Sequence, residues 1–392
     1  MRTVYVTSQA PLPEHSGHAR RLSAQLRVLR TLGPVDLLVL GCRPPPAVRA
    51  ATAAEWPARF YPARIERPVA KAARQVMAAV RGESAWMAKA LSPARLADIE
   101  ETVRSVRPDV VILAETWLSR LIGRVRPHAG QVILDNQNVE SRLYARIMRS
   151  SGGLARLKAA FTWANMLQLE RGIEGASKIW ACSDEDRAFF GVRVGEERVH
   201  VVPNVVDMAA YDGFVRPERP RSIVFSGGYG YRPNETGALN LIALSRRLAA
   251  AGTAHELVLV GARPTPAMRS AAEGQPQIRI TGFVPDTRDP VAAASLFVAP
   301  LDEGSGTKFK LLEAMALGRA IVTSPVGAEG MGLVPGRDVV IADGQDAFAA
   351  AITCLLDDAE ARRRMGEAAL ATVRHRYTLD VLAERIRWSL EQ

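Results

Sequence analysis

The chain has 392 residues, of which 48% are hydrophobic and 23% are charged. This length predicts two domains, and the apolar content is enough for two cores, which excludes disorder as the main state. No apolar run approaches the roughly 18 residues of a membrane-spanning helix. No signal peptide precedes the strand-like residues 3–7, so we expect a cytoplasmic protein. The three cysteines are too few and too far apart for a disulfide framework or a metal cluster.

The net charge of +10 is confined to the first half of the chain. Residues 1–205 hold 30 Lys and Arg against 19 Asp and Glu, and the remainder is nearly neutral. Localised positive charge predicts an anionic partner of that half, such as a membrane surface or a phosphorylated substrate. A solvated arginine-rich surface without a partner explains the same excess. We expect no nucleic acid as a partner, because no zinc-finger, basic-zipper or RNA-binding signature is present.

Short runs rich in Val, Ile and Leu alternate with longer segments of helical periodicity. The strands predicted in the first half are residues 3–7, 35–40, 110–114, 132–135, 179–182 and 199–202. Those predicted in the second half are residues 222–226, 256–260, 278–281, 296–299, 320–323 and 339–341. Segments such as 19–30, 236–250 and 310–317 are long enough for connecting helices. Apolar strands alternating with helices predict an α/β protein of two doubly wound parallel sheets.

The domain boundary is expected in the polar, proline-rich stretch 203–220. The predicted domains are residues 1–205 and 206–378, followed by a C-terminal helix over residues 379–392 that packs back toward the first domain. Ligands of parallel α/β sheets bind beyond the carboxyl ends of the strands. We therefore expect the chemistry in loops that follow strands, facing a central cleft between the two sheets.

Two of these loops contain weaker candidate sites. Ser16 and Gly17 precede the first helix, where backbone amides and the helix dipole would face an anion, although a plain turn explains them equally well. Gly227 and Gly228 open a glycine-rich loop in which Arg232 is a candidate phosphate partner. The spacing matches neither a Walker loop nor a dinucleotide fingerprint.

The third loop is the most specific. Ser305, Gly306 and Thr307 place backbone N–H groups at the start of the predicted helix 310–317, where a diphosphate would bind. Lys308 adds a positive charge beside them. Glu313 lies within the helix among apolar residues, where a carboxylate is costly to bury without partners. The alternative is a glutamate that faces solvent.

Polar residues also follow a strand of the first half. Gln137 and Asn138 come after the predicted strand 132–135 and present amides at that edge of the sheet. The six histidines show no metal-ligand spacing, and most are expected at the surface. No Gly-x-Ser-x-Gly elbow is present, which argues against a serine hydrolase.

Residues 66–80 have the pattern of a helix with two different faces. Arg67, Lys71 and Arg74 fall on one side, and small apolar residues fall on the other. This pattern predicts docking on the anionic inner face of a membrane. A helix that packs on the sheet and exposes a solvated basic face fits the same pattern.

Motifs over almost the whole chain carry a family resemblance. The most specific is Gly304-Ser305-Gly306-Thr307-Lys308-Phe309-Lys310-Leu311-Leu312-Glu313-Ala314-Met315-Ala316. The others are residues 13–20, 138–141, 182–186, 202–204, 260–264, 282–286, 299–301 and 326–330. In these motifs the sequence resembles the retaining glycosyltransferases of family 4, which have the GT-B fold of two Rossmann-like domains.

The resemblance implies transfer of a sugar from a nucleoside diphosphate to an acceptor hydroxyl in the synthesis of a cell-envelope polysaccharide or glycolipid. The acceptor is expected to be lipid-linked or a saccharide, no metal or other cofactor is expected, and the enzyme would work in the cytoplasm or peripherally on the inner membrane face. The residues implied as catalytic are Lys308 and Glu313, the latter on the donor ribose. Those implied to bind the donor are Gly17, Gly227, Gly228, Arg232, Arg263, Phe283, Val284, Ser305, Gly306 and Thr307. Those implied on the acceptor or sugar side are Ser16, Gln137 and Asn138.

The sequence departs from the family pattern in three places. Ser305 stands where many members have a second glutamate, and Glu303 is two residues out of register. Residues 227–234 replace an arginine and a lysine that many members carry, and Gln137 stands where a histidine is frequent. These departures leave two alternatives open, a transferase for a soluble small-molecule acceptor and a non-catalytic relative that binds nucleotide sugars.

Overall fold

The computed structural model describes residues 1–41, 44–61, 90–304 and 306–392. The predicted helix 66–80, with its expected membrane-facing side, and Ser305 therefore lie outside the described residues. The chain forms two compact units, Met1–Pro203 together with Leu382–Gln392, and Asn204–Val381. The boundaries expected from the sequence, after residues 205 and 378, fall a few residues from these divisions. Within the described ranges, no helix combines the length and apolarity that a membrane crossing requires.

The first unit is built on a seven-stranded parallel sheet of order β3-β2-β1-β4-β5-β6-β7. Its strands are β1 (Thr3–Thr7), β2 (Val35–Leu40), β3 (Ala58–Tyr61), β4 (Val110–Ala114), β5 (Gln131–Asp135), β6 (Lys178–Ala181) and β7 (Val199–Val201). Its helices are α1 (Gly17–Leu32), α2 (Pro46–Glu55), α3 (Pro93–Val106), α4 (Ile122–Val125), α5 (Glu140–Ser150), α6 (Gly153–Arg171) and α7 (Asp184–Val194). In the described residues, short 3₁₀ turns lie at Thr116–Leu121, Arg126–His128, Gly172–Gly175 and Glu196–Arg198.

The second unit is built on a six-stranded parallel sheet of order β10-β9-β8-β11-β12-β13. Its strands are β8 (Arg219–Ser226), β9 (Glu256–Val260), β10 (Ile278–Gly282), β11 (Ala294–Ala299), β12 (Ala320–Thr323) and β13 (Val340–Ile341). Its helices are α8 (Arg232–Ala250), α9 (Pro266–Ala272), α10 (Arg288–Ala292), α11 (Phe309–Ala316), α12 (Pro325–Ala328), α13 (Gly344–Asp357) and α14 (Ala359–Arg376). A 3₁₀ turn spans Met208–Ala210, and α15 (Leu379–Glu391) follows α14.

The last helix ends against the first sheet. The Ser389 carbonyl oxygen accepts a hydrogen bond from Lys178 Nζ at 2.6 Å, and Ser389 Oγ accepts one from Trp180 Nε1 at 2.8 Å. The His200 ring lies 4.7 Å from that of Trp388, centroid to centroid. Lys178, Trp180 and His200 are all buried, so the final turn of α15 satisfies polar groups of β6 and β7 that would otherwise lack partners.

The prediction of two doubly wound Rossmann-like parallel sheets is confirmed. Each expected strand is present with its ends within three residues of the prediction. In the first sheet β1 lies between β2 and β4, and in the second sheet β8 lies between β9 and β11. These are the points where strand order reverses and where ligands of such sheets bind. Ligand-binding residues are therefore expected in the loops after β1, β4, β8 and β11.

Candidate functional site

The glycine-rich loop after β8 is fixed by backbone contact with the loop after β9. Gly227 N donates to the Val260 carbonyl oxygen at 2.9 Å. Gly261 has φ +150°, and a Cβ at this position would lie 1.8 Å from the Gly227 carbonyl oxygen. A side chain there is excluded by the main chain itself. Gly228, by contrast, has open space where a Cβ would stand, so a ligand could approach its backbone.

The loop after β11 ends at the first turn of α11. Gly306 adopts φ +64°, the left-handed region that favours glycine. Thr307 Oγ1 accepts a hydrogen bond from Asn204 Nδ2 at 2.6 Å, and Lys308 is the N-cap residue of the helix. The buried Lys308 ammonium donates to the Gly306 carbonyl oxygen. Gly306 and Thr307, two of the predicted diphosphate-binding residues, thus lie in one hydrogen-bonded turn, and the Lys308 ammonium folds back onto it.

Lys310 is a second cation at this place, and the sequence analysis did not single it out. Its Nζ donates to Asn234 Oδ1 and lies 4.3 Å from the centroid of the Phe225 ring. A Cβ on Gly227 would come within 3.1 Å of Nζ, so the glycine leaves room for the ammonium. Burial, together with neighbouring Lys308, lowers the pKa of Lys310 to about 7. The available signal was its spacing, three residues before Glu313 on one helix face.

Glu313 is buried and held by a neighbour. Its side chain lies in α11, is only 8% exposed, and accepts a hydrogen bond from the Tyr211 hydroxyl at 3.3 Å. The alternative of a solvent-facing glutamate is therefore wrong. A buried carboxylate beside two lysines is suited to accept hydrogen bonds from ligand hydroxyls.

Arg232 pairs with Glu303, the glutamate that appeared out of register. Its Nε and Nη2 each lie 3.0 Å from a carboxylate oxygen of Glu303, whose side chain is 1% exposed. The two-pronged pair joins the first turn of α8 to the loop after β11. Arg232 stays a predicted donor ligand, but its clearest contact in the structure is this one.

Of the remaining predicted donor residues, all except Gly17 lie at the same edge of the second sheet. Arg263 has φ +59°, and its guanidinium carbon is 3.1 Å from where a Cβ on Gly230 would lie, so the guanidinium packs closely against the backbone of Gly230. Phe283 follows β10 and is 63% exposed, while Val284 is half-buried against the core. The structure thus gathers the glycines, Arg263, Lys308 and Glu313 around the carboxyl ends of neighbouring strands.

The residues predicted in the first half lie at the corresponding edge of the first sheet. Ser16 Oγ accepts a hydrogen bond from Ala19 N at 3.1 Å and so caps α1, which begins at Gly17. Gln137 and Asn138 are half-buried after β5, and Asn138 Nδ2 lies 3.5 Å from Glu140 Oε1. In the described part of the chain, the buried Nδ2 of neighbouring Asn136 has no hydrogen-bond partner. An oxygen of a bound ligand would satisfy this donor.

Glu115, directly after β4, was missed by the sequence analysis. Its φ is +87°, which is strained for a residue other than glycine. Its carboxylate accepts hydrogen bonds from Ser8 Oγ at 2.6 Å and from Trp117 Nε1, and Oε1 lies 3.1 Å from His18 Nδ1. Burial raises the pKa of Glu115 to about 7 and lowers that of His18 to about 4. The usable signal was an acidic residue immediately after a buried strand at the reversal point.

A buried ion pair supports this edge from below. Asp135, the last residue of β5, accepts hydrogen bonds from the Arg21 guanidinium and from Tyr5 Oη. Arg21 Nη1 also donates to the Val202 carbonyl oxygen at 2.9 Å. These groups are fully or almost fully buried. Removing one partner of such a pair leaves the other charge buried without compensation.

The expectation that most histidines lie at the surface is wrong. Only His15 and His375 are exposed, His200 is buried, and the other three are half-buried. In the described ranges, no cluster of three His, Cys, Asp or Glu side chains is arranged to hold a metal ion.

Three comparisons with known proteins bear on this geometry. Residues 220–358 match the family model described as Glycosyl transferases group 1. Over 218 residues the chain is 32% identical to a phosphatidyl-myo-inositol mannosyltransferase of Mycolicibacterium smegmatis, which covers 53% of this chain and 55% of that protein. The match thus spans about half the length of that curated relative.

Solved structures resemble the whole chain in fold. Sucrose-phosphate synthase of Thermosynechococcus elongatus has a TM-score of 0.71 at 15% identity, covering 100% of this chain and 99% of the other. HepE of Anabaena in complex with UDP-glucose has a TM-score of 0.68 at 13% identity, covering 99% of each chain. At these identities the likeness concerns the fold, which is GT-B. The chain therefore has the GT-B fold, and its residues 220–358 match the group 1 glycosyltransferase family.

Proposed function

We propose that this chain is a retaining hexosyltransferase that moves a sugar from a nucleoside diphosphate to an acceptor hydroxyl. The observation that carries the proposal is the group formed by Lys308, Lys310 and Glu313 around the first turns of α11. Two lysines and a helix start would neutralise a diphosphate, and a buried carboxylate beside them would hold hydroxyls. One element thus supplies the two kinds of contact that a nucleotide-sugar donor needs.

In this proposal the protein acts mainly on the leaving group. Breaking a sugar–phosphate bond leaves negative charge on the departing diphosphate, and fixed amides and ammonium groups that face it lower the barrier. The Gly306–Thr307 turn and Lys308 would provide this stabilisation, and Lys310 would add charge when protonated. The proposed step needs no metal ion, because backbone amides and lysine ammonium groups would supply the positive charge.

Two related proteins support a sugar donor and a lipid acceptor. The Mycolicibacterium smegmatis relative is named as a phosphatidyl-myo-inositol mannosyltransferase, and HepE was solved with UDP-glucose. We extend these properties to the present chain as proposals: a nucleoside-diphosphate hexose as donor, a lipid-linked or saccharide acceptor of the cell envelope, and work in the cytoplasm or at the inner membrane face. The nucleotide base and the sugar are to be identified with a panel of candidate donors.

The test is a panel of nucleoside-diphosphate sugars. A donor present at a hundred times its Kd should stabilise the native state by about 2.7 kcal/mol and raise the melting temperature. The same donor should release nucleoside diphosphate slowly in water, and the product with an added acceptor should keep the anomeric configuration of the donor.

Glu313→Gln and Glu273→Gln form a matched pair, because Glu273 is an exposed residue of the same unit. The first should lose the thermal shift and the second should keep it. If no donor in the panel shifts the melting temperature or is hydrolysed, the proposal of a glycosyltransferase reaction fails. Inversion of the anomeric centre would contradict the retaining mechanism alone.

A further inference from the structure

The helical hairpin formed by α5 and α6 ends in a tip that is exposed and apolar. Residues 152–158 are all exposed, and Leu154, Leu157 and Phe161 are 77%, 66% and 47% exposed. At about 100° per residue these three side chains fall within about 60° of each other on α6. Large apolar side chains that are grouped in this way mark an interaction surface, whereas single ones do not. We call residues 149–161 the hairpin tip.

The charge of the hairpin has one sign. Residues 141–169 contain Arg142, Arg146, Arg149, Arg156 and Lys158 and no Asp or Glu. Arg149, Arg156 and Lys158 lie within the hairpin tip and are exposed. The water-facing helix α14 shows the opposite arrangement, since its Arg363 pairs with Glu360 and Glu367. A helix that only faces water has no need to exclude acidic residues, so the excess of basic residues indicates an anionic partner.

The base of the hairpin is anchored in the first unit. Glu170, at the end of α6, accepts a hydrogen bond from Ser141 N at 3.0 Å, and Arg142 lies over the Phe189 ring at 4.9 Å from its centroid. The two helices are therefore joined at their base, where Arg142 packs on a ring of α7. An exposed surface on a helical stem loses less conformational freedom on binding than one on an unstructured loop.

We propose that the hairpin tip docks on an anionic lipid bilayer. Leucine and phenylalanine side chains would enter the boundary between headgroups and acyl chains, and the arginine and lysine groups would remain among the lipid phosphates. A nucleic acid would use the basic groups but offers little to the exposed leucines. The combination of both kinds of side chain on one short tip favours lipid.

This inference rests on the proposed function only for its purpose, which is to bring the enzyme to a lipid-linked acceptor. Binding itself needs neither donor nor turnover and is measured without them. If vesicle binding fails while donor hydrolysis persists, the docking surface is wrong. If hydrolysis fails while vesicles still bind, the proposed reaction is wrong.

The experiment is co-sedimentation of the full chain with large vesicles of phosphatidylcholine alone or with 30% phosphatidylglycerol. Wild type should bind the anionic vesicles only, and binding should weaken at high salt because the surface charges are screened. Each basic residue near such a surface contributes about 1 kcal/mol, so Arg149→Gln, Arg156→Gln and Lys158→Gln together should weaken binding roughly a hundredfold. Leu154→Ser with Leu157→Ser should weaken it more than tenfold.

Matched controls exist for both changes. Val192→Ser removes an apolar side chain that is 88% exposed on another helix of the same unit. Arg363→Gln, Arg364→Gln and Arg374→Gln remove three charges that are paired with acidic residues. Both control proteins should bind within twofold of wild type. Because all altered side chains are exposed, melting temperatures should stay close to that of wild type.

Several outcomes would overturn the inference. Equal binding to neutral vesicles would do so, and so would unchanged binding of both tip variants. If the combined variant Arg67→Gln, Lys71→Gln and Arg74→Gln lost binding while the tip variants kept it, the docking surface would be the segment 66–80. Binding of duplex DNA that is as tight as binding of anionic vesicles, and that falls equally in the charge variant, would assign the surface to nucleic acid. A wild-type dimer in light scattering that Leu154→Ser dissociates would assign it to a second copy.

Discussion

Lys310 should bind a proton when the nucleotide-sugar donor binds. Its ammonium is surrounded by Phe225, Asn234 and Lys308, and its pKa is lowered to about 7. About three quarters of the side chains are then neutral at pH 7.5, and about a tenth at pH 6. A bound diphosphate favours the charged form, so binding should take up about 0.7 proton at pH 7.5 and about 0.1 at pH 6.

The affinity for the donor should follow the same titration. Only the charged form of Lys310 attracts the diphosphate, so the observed Kd should rise with pH above about 7. Between pH 6 and pH 8.5 the loss should approach roughly thirtyfold, because about 3% of the side chains remain charged at the higher pH. A nucleotide sugar is the right ligand, since its diphosphate diester does not itself titrate in this range.

Isothermal titration in two buffers of different ionisation enthalpy measures the proton uptake directly. Lys310→Arg should keep affinity and lose its pH dependence, because the guanidinium stays charged. Lys310→Met should bind weakly at every pH without proton uptake. The reasoning is refuted if wild type shows equal affinity at pH 6 and 8.5, or if the uptake at pH 7.5 survives in Lys310→Met.

Three further changes test the remaining roles. Lys308→Ala should lower kcat, measured with saturating donor, by a factor on the order of 10²–10³, because it removes a cation beside the departing diphosphate. Turnover within a few-fold of wild type would contradict that role. Glu313→Gln should raise the donor KM more than it lowers kcat, and Tyr211→Phe should raise KM by less. An unchanged KM in Glu313→Gln would make Glu313 a purely structural residue. Glu115 has a raised pKa of about 7, so the folded state holds a proton that the unfolded chain has lost between pH 4.5 and 7. The contribution of Glu115 to the free energy of unfolding should therefore fall by up to about 3 kcal/mol as pH rises through this window, and this part of the pH dependence should be missing in Glu115→Gln. Denaturant titrations at pH 5 and 8 measure the difference, and an identical decline in both proteins would exclude a raised pKa.

The buried strands were predictable because a short run of consecutive apolar residues is stable only where both of its faces are covered. β1 and β4 are fully buried, and a parallel sheet covered on both faces demands such a continuous run. β3 (Ala58–Tyr61) was missed because it is an edge strand whose residues are half-exposed or exposed. β8 begins at Arg219, inside the proline-rich stretch expected as a linker, because Arg219 N donates to the Ala293 carbonyl oxygen at 2.7 Å. That contact is 74 residues away in sequence and has no local signal.

The site divides in the same way. Gly306, Lys308 and Glu313 could be found because they lie in one short stretch whose spacing has a chemical reading. Lys310 and Glu115 could not be ranked from sequence, since their importance comes from neighbours such as Asn234 and His18 in other segments. A lysine on a helix and a glutamate after a strand are ordinary until the tertiary structure removes water from them.

Because Ser389 docks on β6 and β7, the first unit is made of two stretches that are far apart in the sequence. The chain passes from the first unit to the second after Pro203 and returns before Leu382. Neither unit can therefore be obtained whole by a single cut. A fragment that stops before residue 382 would uncover Trp180 and leave the Lys178 ammonium without its carbonyl partner. A permuted chain that joins residues 382–392 directly to the first unit would keep each unit continuous, whereas in the natural order the first unit is complete only after residues 382–392 have been synthesised.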